Sequence, residues 1–202
     1  MIRMREFGTG MLGWMLAVTL VSTVASADAE SDDYENDPAY PSPVYLEQGW
    51  TDAERNQFYF TPQGSYLIPY AWYLALELPH KAKPFNSPKH IARIGYLNDE
   101  YAYTPSNPDG LPIGFAKEPV ADGEAWLGYT CAACHTGEVR VKNVTIRVDG
   151  APTLADFSLF NRRLIHALRD TLEWPRKVER FAQKVLSSPS PASKEALRTQ
   201  MT

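Results

Sequence analysis

Hydrophobic positions along the chain fall into short segments separated by proline- and glycine-rich punctuation. The first apolar run, Met11–Val21, follows Arg3 and Arg5 and leads to Ala25-Ser26-Ala27. A basic start, a short apolar centre and a small-x-small ending form the pattern of a signal peptide, cleaved near Ala27. The run is shorter than the roughly 20 apolar residues a membrane span needs, so an uncleaved anchor is the weaker reading. Residues 28–48 are acidic and proline-rich with little that could enter a core, which predicts a flexible leader.

Organised periodicity begins at Trp50. Thr51-x-x-Glu54 has the capping-box form and predicts a helix from Asp52 to about Phe60. Pro69 suits the first turn of a helix over Tyr70–Leu78, stopped by Pro79. Ser87-Pro88 opens a short helix that turns Ile91 and Ile94 inward and closes at Gly95. Between Asn98 and Gly123 the turn formers are so dense that a long structured loop is expected. Val144 to Val148 alternates and ends at Asp149-Gly150, predicting one strand or hairpin arm. Thr153 to Asp156 then caps the longest helix, to about Trp174, with Phe157, Phe160, Leu164, Leu168 and Leu172 on one stripe. Pro175 starts another helix with Val178, Phe181, Ala182, Val185 and Leu186 inward. A last helical pattern begins at Ser193 and breaks off at Thr202, so a chain that continues is expected. The expected fold is mainly α with long loops and at most a short strand pair. Its divisions are a signal peptide over 1–27, a leader over 28–48, a folded domain over 49–186, and a linker with the start of a further helix over 187–202.

Composition excludes more than it selects. The 202 residues carry 20 Lys+Arg against 24 Asp+Glu, a net charge of −4, which argues against nucleic-acid binding. No Ser/His/Asp arrangement, phosphate-cradling glycine loop or basic stripe stands out. Two cysteines cannot build a disulfide scaffold.

Those two cysteines nevertheless carry the chemistry. They lie in Thr130-Cys131-Ala132-Ala133-Cys134-His135, and C-x-x-C-H is the attachment pattern of c-type haem. Thiols one turn apart add to the two haem vinyl groups as thioethers, and His135 becomes the proximal iron ligand. Small residues at Ala132 and Ala133 are expected to let the porphyrin edge approach the backbone. A thioredoxin-like pair would need a βαβ context that is not present, and a zinc site would need further ligands at matching spacing. A plain disulfide would leave His135 a coincidence. The sixth iron position is open between His80, His90, His166 and vacancy, because Met201 is the one methionine left after cleavage. Phe115, Trp126 and Tyr129 are candidates for the haem wall or for ordinary core packing. Arg147 and Asp149 are candidates for a propionate contact or for a surface pair at a strand end.

The segments QGWTDAERNQFYFTPQGSYLIPYAWYLALE, NPDGLPIGF, WLGYTCAACHTGEV and IRVDGAPTLADF resemble the N-terminal haem region of bacterial di-haem cytochrome c peroxidase-like proteins, with which rubber oxygenases are grouped. The resemblance covers roughly Gln48–Leu186. It implies a periplasmic, mainly helical, cytochrome c-like domain doing redox chemistry at haem iron, with Cys131 and Cys134 as thioether positions and His135 as proximal ligand. Such proteins carry two C-x-x-C-H motifs, whereas this chain carries one. The leading expectation is therefore electron transfer through one covalent haem c, with a redox donor or acceptor protein as partner. The alternatives are a haem-dependent peroxidase or oxygenase, acting on hydrogen peroxide or dioxygen within a longer di-haem enzyme, and a haem-based sensor or structural haem module. No nucleic-acid partner and no membrane span after cleavage are expected.

Overall fold

Capping chemistry places the helices, and β-pairing that the sequence concealed places almost everything between them. The computed structural model describes residues 43–99, 107–121 and 123–202. The expected signal peptide and most of the expected leader lie outside the described residues. Among the described residues, no helix is long and apolar enough to cross a membrane.

Helix α1 (Asp52–Phe60) is closed by the full Thr51/Glu54 capping box. Helices α2 (Tyr70–Ala75) and α3 (Pro88–Arg93) are short and flanked by proline. Helix α4 (Phe157–Glu173) starts later than the sequence suggests, because the Asp156 carboxylate rather than Thr153 accepts from Leu159 N–H at 2.8 Å. Proline then opens both α5 (Pro175–Val185) and α6 (Pro191–Met201).

The mainly α expectation is overturned by two three-stranded sheets. One has the order β1–β6–β5, from β1 (Val44–Tyr45), β5 (Thr136–Val141) and β6 (Val144–Asp149), with β1 parallel and β5 antiparallel to β6. The other is antiparallel with the order β2–β4–β3, from β2 (Ile68–Pro69), β3 (Phe115–Glu118) and β4 (Trp126–Tyr129). β3 and β4 are four residues each; β3 falls in the stretch expected as a long loop, and β4 follows that stretch where no element was expected. β1 lies within the expected leader, yet its residues pair with Ile146 and Arg147.

The first sheet also has its faces reversed. Val44 and Val139 flank Ile146, and Val141 faces Val144, so one side is aliphatic. That side is turned outward: Val44 and Val139 are each 57% exposed, Val141 52% and Val144 47%. The polar side, with Thr136, Thr145, Arg147 and Asp149, is buried. It is buried because α1 packs charged and phenolic groups against it. The Arg55 guanidinium donates to Asp149 at 2.9 Å and Tyr59 OH donates to Asp149 at 2.6 Å. Arg147 pairs with Glu138 at 2.6 Å and donates to Tyr45 OH at 3.0 Å.

The main core lies between the second sheet and α4–α6. Tyr73, Phe85, Phe115 and Phe160 are fully buried there and meet edge-to-face, tilted or stacked, with Leu76, Ile91 and Leu127 filling between them.

Candidate functional site

The Cys-x-x-Cys-His segment is the link from one sheet to the other, running from the end of β4 to the start of β5. Thr130 begins it by accepting from Ala132 N–H with its hydroxyl oxygen and donating that hydroxyl to the Tyr59 carbonyl at 3.0 Å. Residues 131–133 form one 3₁₀ turn. With three residues per turn, positions i and i+3 stand one above the other. Cys131 and Cys134 accordingly project on one side, both exposed and with free thiols, and His135 beside them is exposed as well.

The opposite side of the turn is its anchor. Ala132 packs on Tyr59 and Ile113, and Ala133 enters the main core. The alanines are therefore small for a reason other than porphyrin approach. Gly114, at φ +88°, lies so close that a Cβ there would overlap the Ala133 backbone. The Gly114 carbonyl also accepts from Thr130 N–H at 2.8 Å.

Two further clamps hold the exposed side. Thr153 N–H donates to the Cys134 carbonyl at 3.0 Å, and Gly150 N–H donates to the His135 carbonyl at 2.7 Å. Gly150 follows Asp149, so the Arg55–Asp149–Tyr59 cluster fixes the turn that holds His135. Burial works against the Arg55 charge, but the Asp149 hydrogen bond and charge outweigh it and raise its pKa. Burial, then the Asp149 contact, pushes the Tyr59 phenol far above its ordinary range. On the other flank, buried Glu118 accepts from Gln63 N–H at 2.7 Å and from Gly64 N–H at 3.0 Å. That turn sets the Gln63 side-chain oxygen 4.0 Å from the Cys131 sulfur.

Beside Cys134 lies an apolar shoulder. Leu154 is 82% exposed, and Phe157 is 52% exposed with its ring 5.3 Å from that of Tyr129. The Tyr129 phenol accepts from Tyr96 OH at 3.2 Å, and burial, followed by that contact, drives its pKa far up. Two open thiols at one-turn spacing, an adjacent exposed imidazole and an exposed apolar shoulder fit a large planar group attached from outside.

The other sequence candidates disperse. Phe115 is fully buried in the core, and Trp126 meets Tyr66 and lines a groove with Leu67, Trp72, Leu168 and Met201. Tyr129 alone of the three borders the motif. Arg147 and Asp149 are neither a surface pair nor open to a propionate, since both are buried and engaged. His90 is buried against Phe85, while His80 meets His166 of α4. Among the described residues, no group of three or more His, Cys, Asp or Glu side chains forms a metal site. Sequence reasoning missed Gly114, Arg55, Tyr59 and Gln63. Only Gly114 left a signal, as a glycine close to a proline before an aromatic residue.

Comparison with known proteins adds one relative. The chain is 30% identical over 210 residues to the uncharacterized protein y4iJ of Sinorhizobium fredii (strain NBRC 101917 / NGR234), covering 92% of this chain and 33% of that protein. It therefore spans about a third of the length of the curated relative it matches. No family model matches the chain, and no solved structure matches it.

Proposed function

We propose that the chain is an exported c-type haem module that transfers electrons through one haem bound to Cys131, Cys134 and His135. The observation that carries the reading is the exposed 3₁₀ turn with both thiols free on the side opposite its buried alanines. A thiol pair kept for a structural disulfide has no need of a neighbouring exposed histidine, nor of an apolar shoulder.

A covalently held haem supplies one-electron chemistry at its iron, tuned by the axial ligand and its surroundings. The protein's own part is positioning. Gly114 and Thr130 hold the turn, Gly150 and Thr153 hold the carbonyls of His135 and Cys134, and Leu154 and Phe157 offer apolar contact to a ring face. The scaffold that carries the motif is mixed α/β and not the cytochrome c-like helix packing expected from the sequence. The location is periplasmic in this reading, and the partner is a redox protein.

A catalytic reading, with peroxide or dioxygen as substrate in a longer protein, draws support from one feature. His80, His90 and His166 are each engaged in contacts of their own. Among the described residues these contacts place His80 and His166 together at the far half of α4 and His90 in the core, so none of the three would supply a further iron ligand without moving. The test is expression with export and c-type haem attachment, followed by haem staining after denaturing electrophoresis and a pyridine haemochrome spectrum. Pigment that stays with the denatured chain is expected; pigment lost on denaturation overturns the proposal. High-spin ferric bands with rapid cyanide binding favour the catalytic reading, whereas a purely low-spin spectrum favours the carrier.

A further inference from the structure

A second cluster of chemistry-bearing side chains lies where the loop after α2 meets α4. Leu78-Pro79-His80-Lys81 forms a turn closed by Lys81 N–H to the Leu78 carbonyl at 3.2 Å. Its third residue, His80, has φ +56°, a conformation that turns normally give to glycine or asparagine. An imidazole is thus kept at a position where a side chain is conformationally costly. Asp170 holds it there. The carboxylate is buried at 1% exposure, with one oxygen 2.9 Å from His80 Nδ1 and the other accepting from His80 N–H at 3.1 Å. Buried Lys177 balances its charge at 2.6 Å. One turn before Asp170 on α4 stands His166, exposed, with its ring centre 5.8 Å from that of His80.

We propose that His80 and His166 form a two-imidazole site for a late first-row divalent transition ion, Cu²⁺ or Zn²⁺, with Asp170 as the carboxylate that positions His80. Asp170 Oδ1 stands 2.9 Å from His80 Nδ1, so the Nε2 side of the ring is turned away from the carboxylate. Two imidazoles bound to one ion at about 2.0–2.1 Å have ring centres roughly 5–6.5 Å apart, a range that includes the observed spacing. Water completes the coordination. Asp170 is already paired with Lys177, so the donors left at the site are imidazole nitrogens rather than a free carboxylate. Such a donor set selects copper and zinc over calcium and magnesium. The proposal is independent of the haem reading.

The test is Cu²⁺ alone, titrated at neutral pH into untagged protein whose two cysteines are in thioether linkage or, if they titrate as free thiols, alkylated beforehand. One saturable equivalent is expected, with nitrogen hyperfine structure from two imidazoles in the electron paramagnetic resonance spectrum. His80→Gln and His166→Gln each weaken binding at least ten-fold and leave one nitrogen, while the thermal midpoint holds because both side chains are exposed. Asp170→Asn weakens binding by about 10–100-fold with both nitrogens retained. Wild-type affinity in the His80→Gln/His166→Gln double variant, or no saturable binding at all, overturns the proposal.

Discussion

At the scale of single residues, the turn that carries the motif depends on groups on its buried side. Gly114 is the clearest: its positive φ disfavours any side chain, and the space a Cβ would take belongs to the Ala133 backbone. Gly114→Ala is expected to cost about 2 kcal/mol or more in chemical denaturation and to lower the yield of haem attachment. Glycine in a proline-rich stretch reads as punctuation, so the place of Gly114 between Pro112 and Phe115 marks a turn and not the seat of the motif. Asp149 is a second case, buried and shared by Arg55 and Tyr59. Asp149→Asn strands a buried guanidinium, and a loss of roughly 3 kcal/mol is expected by urea denaturation. Asp170 makes a pH prediction. Burial opposes its charge, but Lys177 and the His80 N–H outweigh that and hold its pKa below 3.8. A carboxylate whose pKa is lower folded than unfolded stabilises the protein fully above its ordinary value and loses that contribution as pH falls through its folded value. Asp170→Asn should therefore destabilise at neutral pH, and the gap to the wild type should narrow in melts below pH 3.8.

At the scale of elements, legibility followed the kind of signal each segment carries. α1 was readable to the residue because Thr51 and Glu54 cap it locally. α5 was readable because its apolar stripe has helical period and proline marks its start. β3 and β4 were hidden because short strands inside turn-rich sequence are held by partners distant along the chain. β6 was read as a strand, but its alternation conceals which face is inward. Ordinary patterning would bury Val144, Ile146 and Val148, whereas the structure buries Thr145, Arg147 and Asp149. The choice belongs to α1, whose Arg55 and Tyr59 need the polar face. Two substitutions separate the orientations. Val139→Lys with Val144→Lys should leave stability within about 0.5 kcal/mol, because both positions face solvent. Arg147→Met should cost about 2 kcal/mol or more, because Glu138 and the Tyr45 phenol lose a buried partner. Thermal melts of the two variants give opposite rankings if the aliphatic face is the inner one.

At the scale of the whole molecule, the spacing of Cys131, Cys134 and His135 singled out one segment, and the structure leaves all three side chains exposed. The scaffold was not legible, because a mainly α domain and this two-sheet domain can present the same five-residue motif. What the structure supplies is a rigid seat with an open side: a turn anchored by α1, Gly114 and the β6–α4 connection, presenting its thiols outward. Intact-mass measurement of the exported protein under denaturing conditions tests the haem account most directly. A chain heavier by one haem is expected, with the adduct lost in the Cys131→Ser/Cys134→Ser variant. A chain at its bare polypeptide mass, from cells that load another c-type cytochrome in parallel, would contradict it.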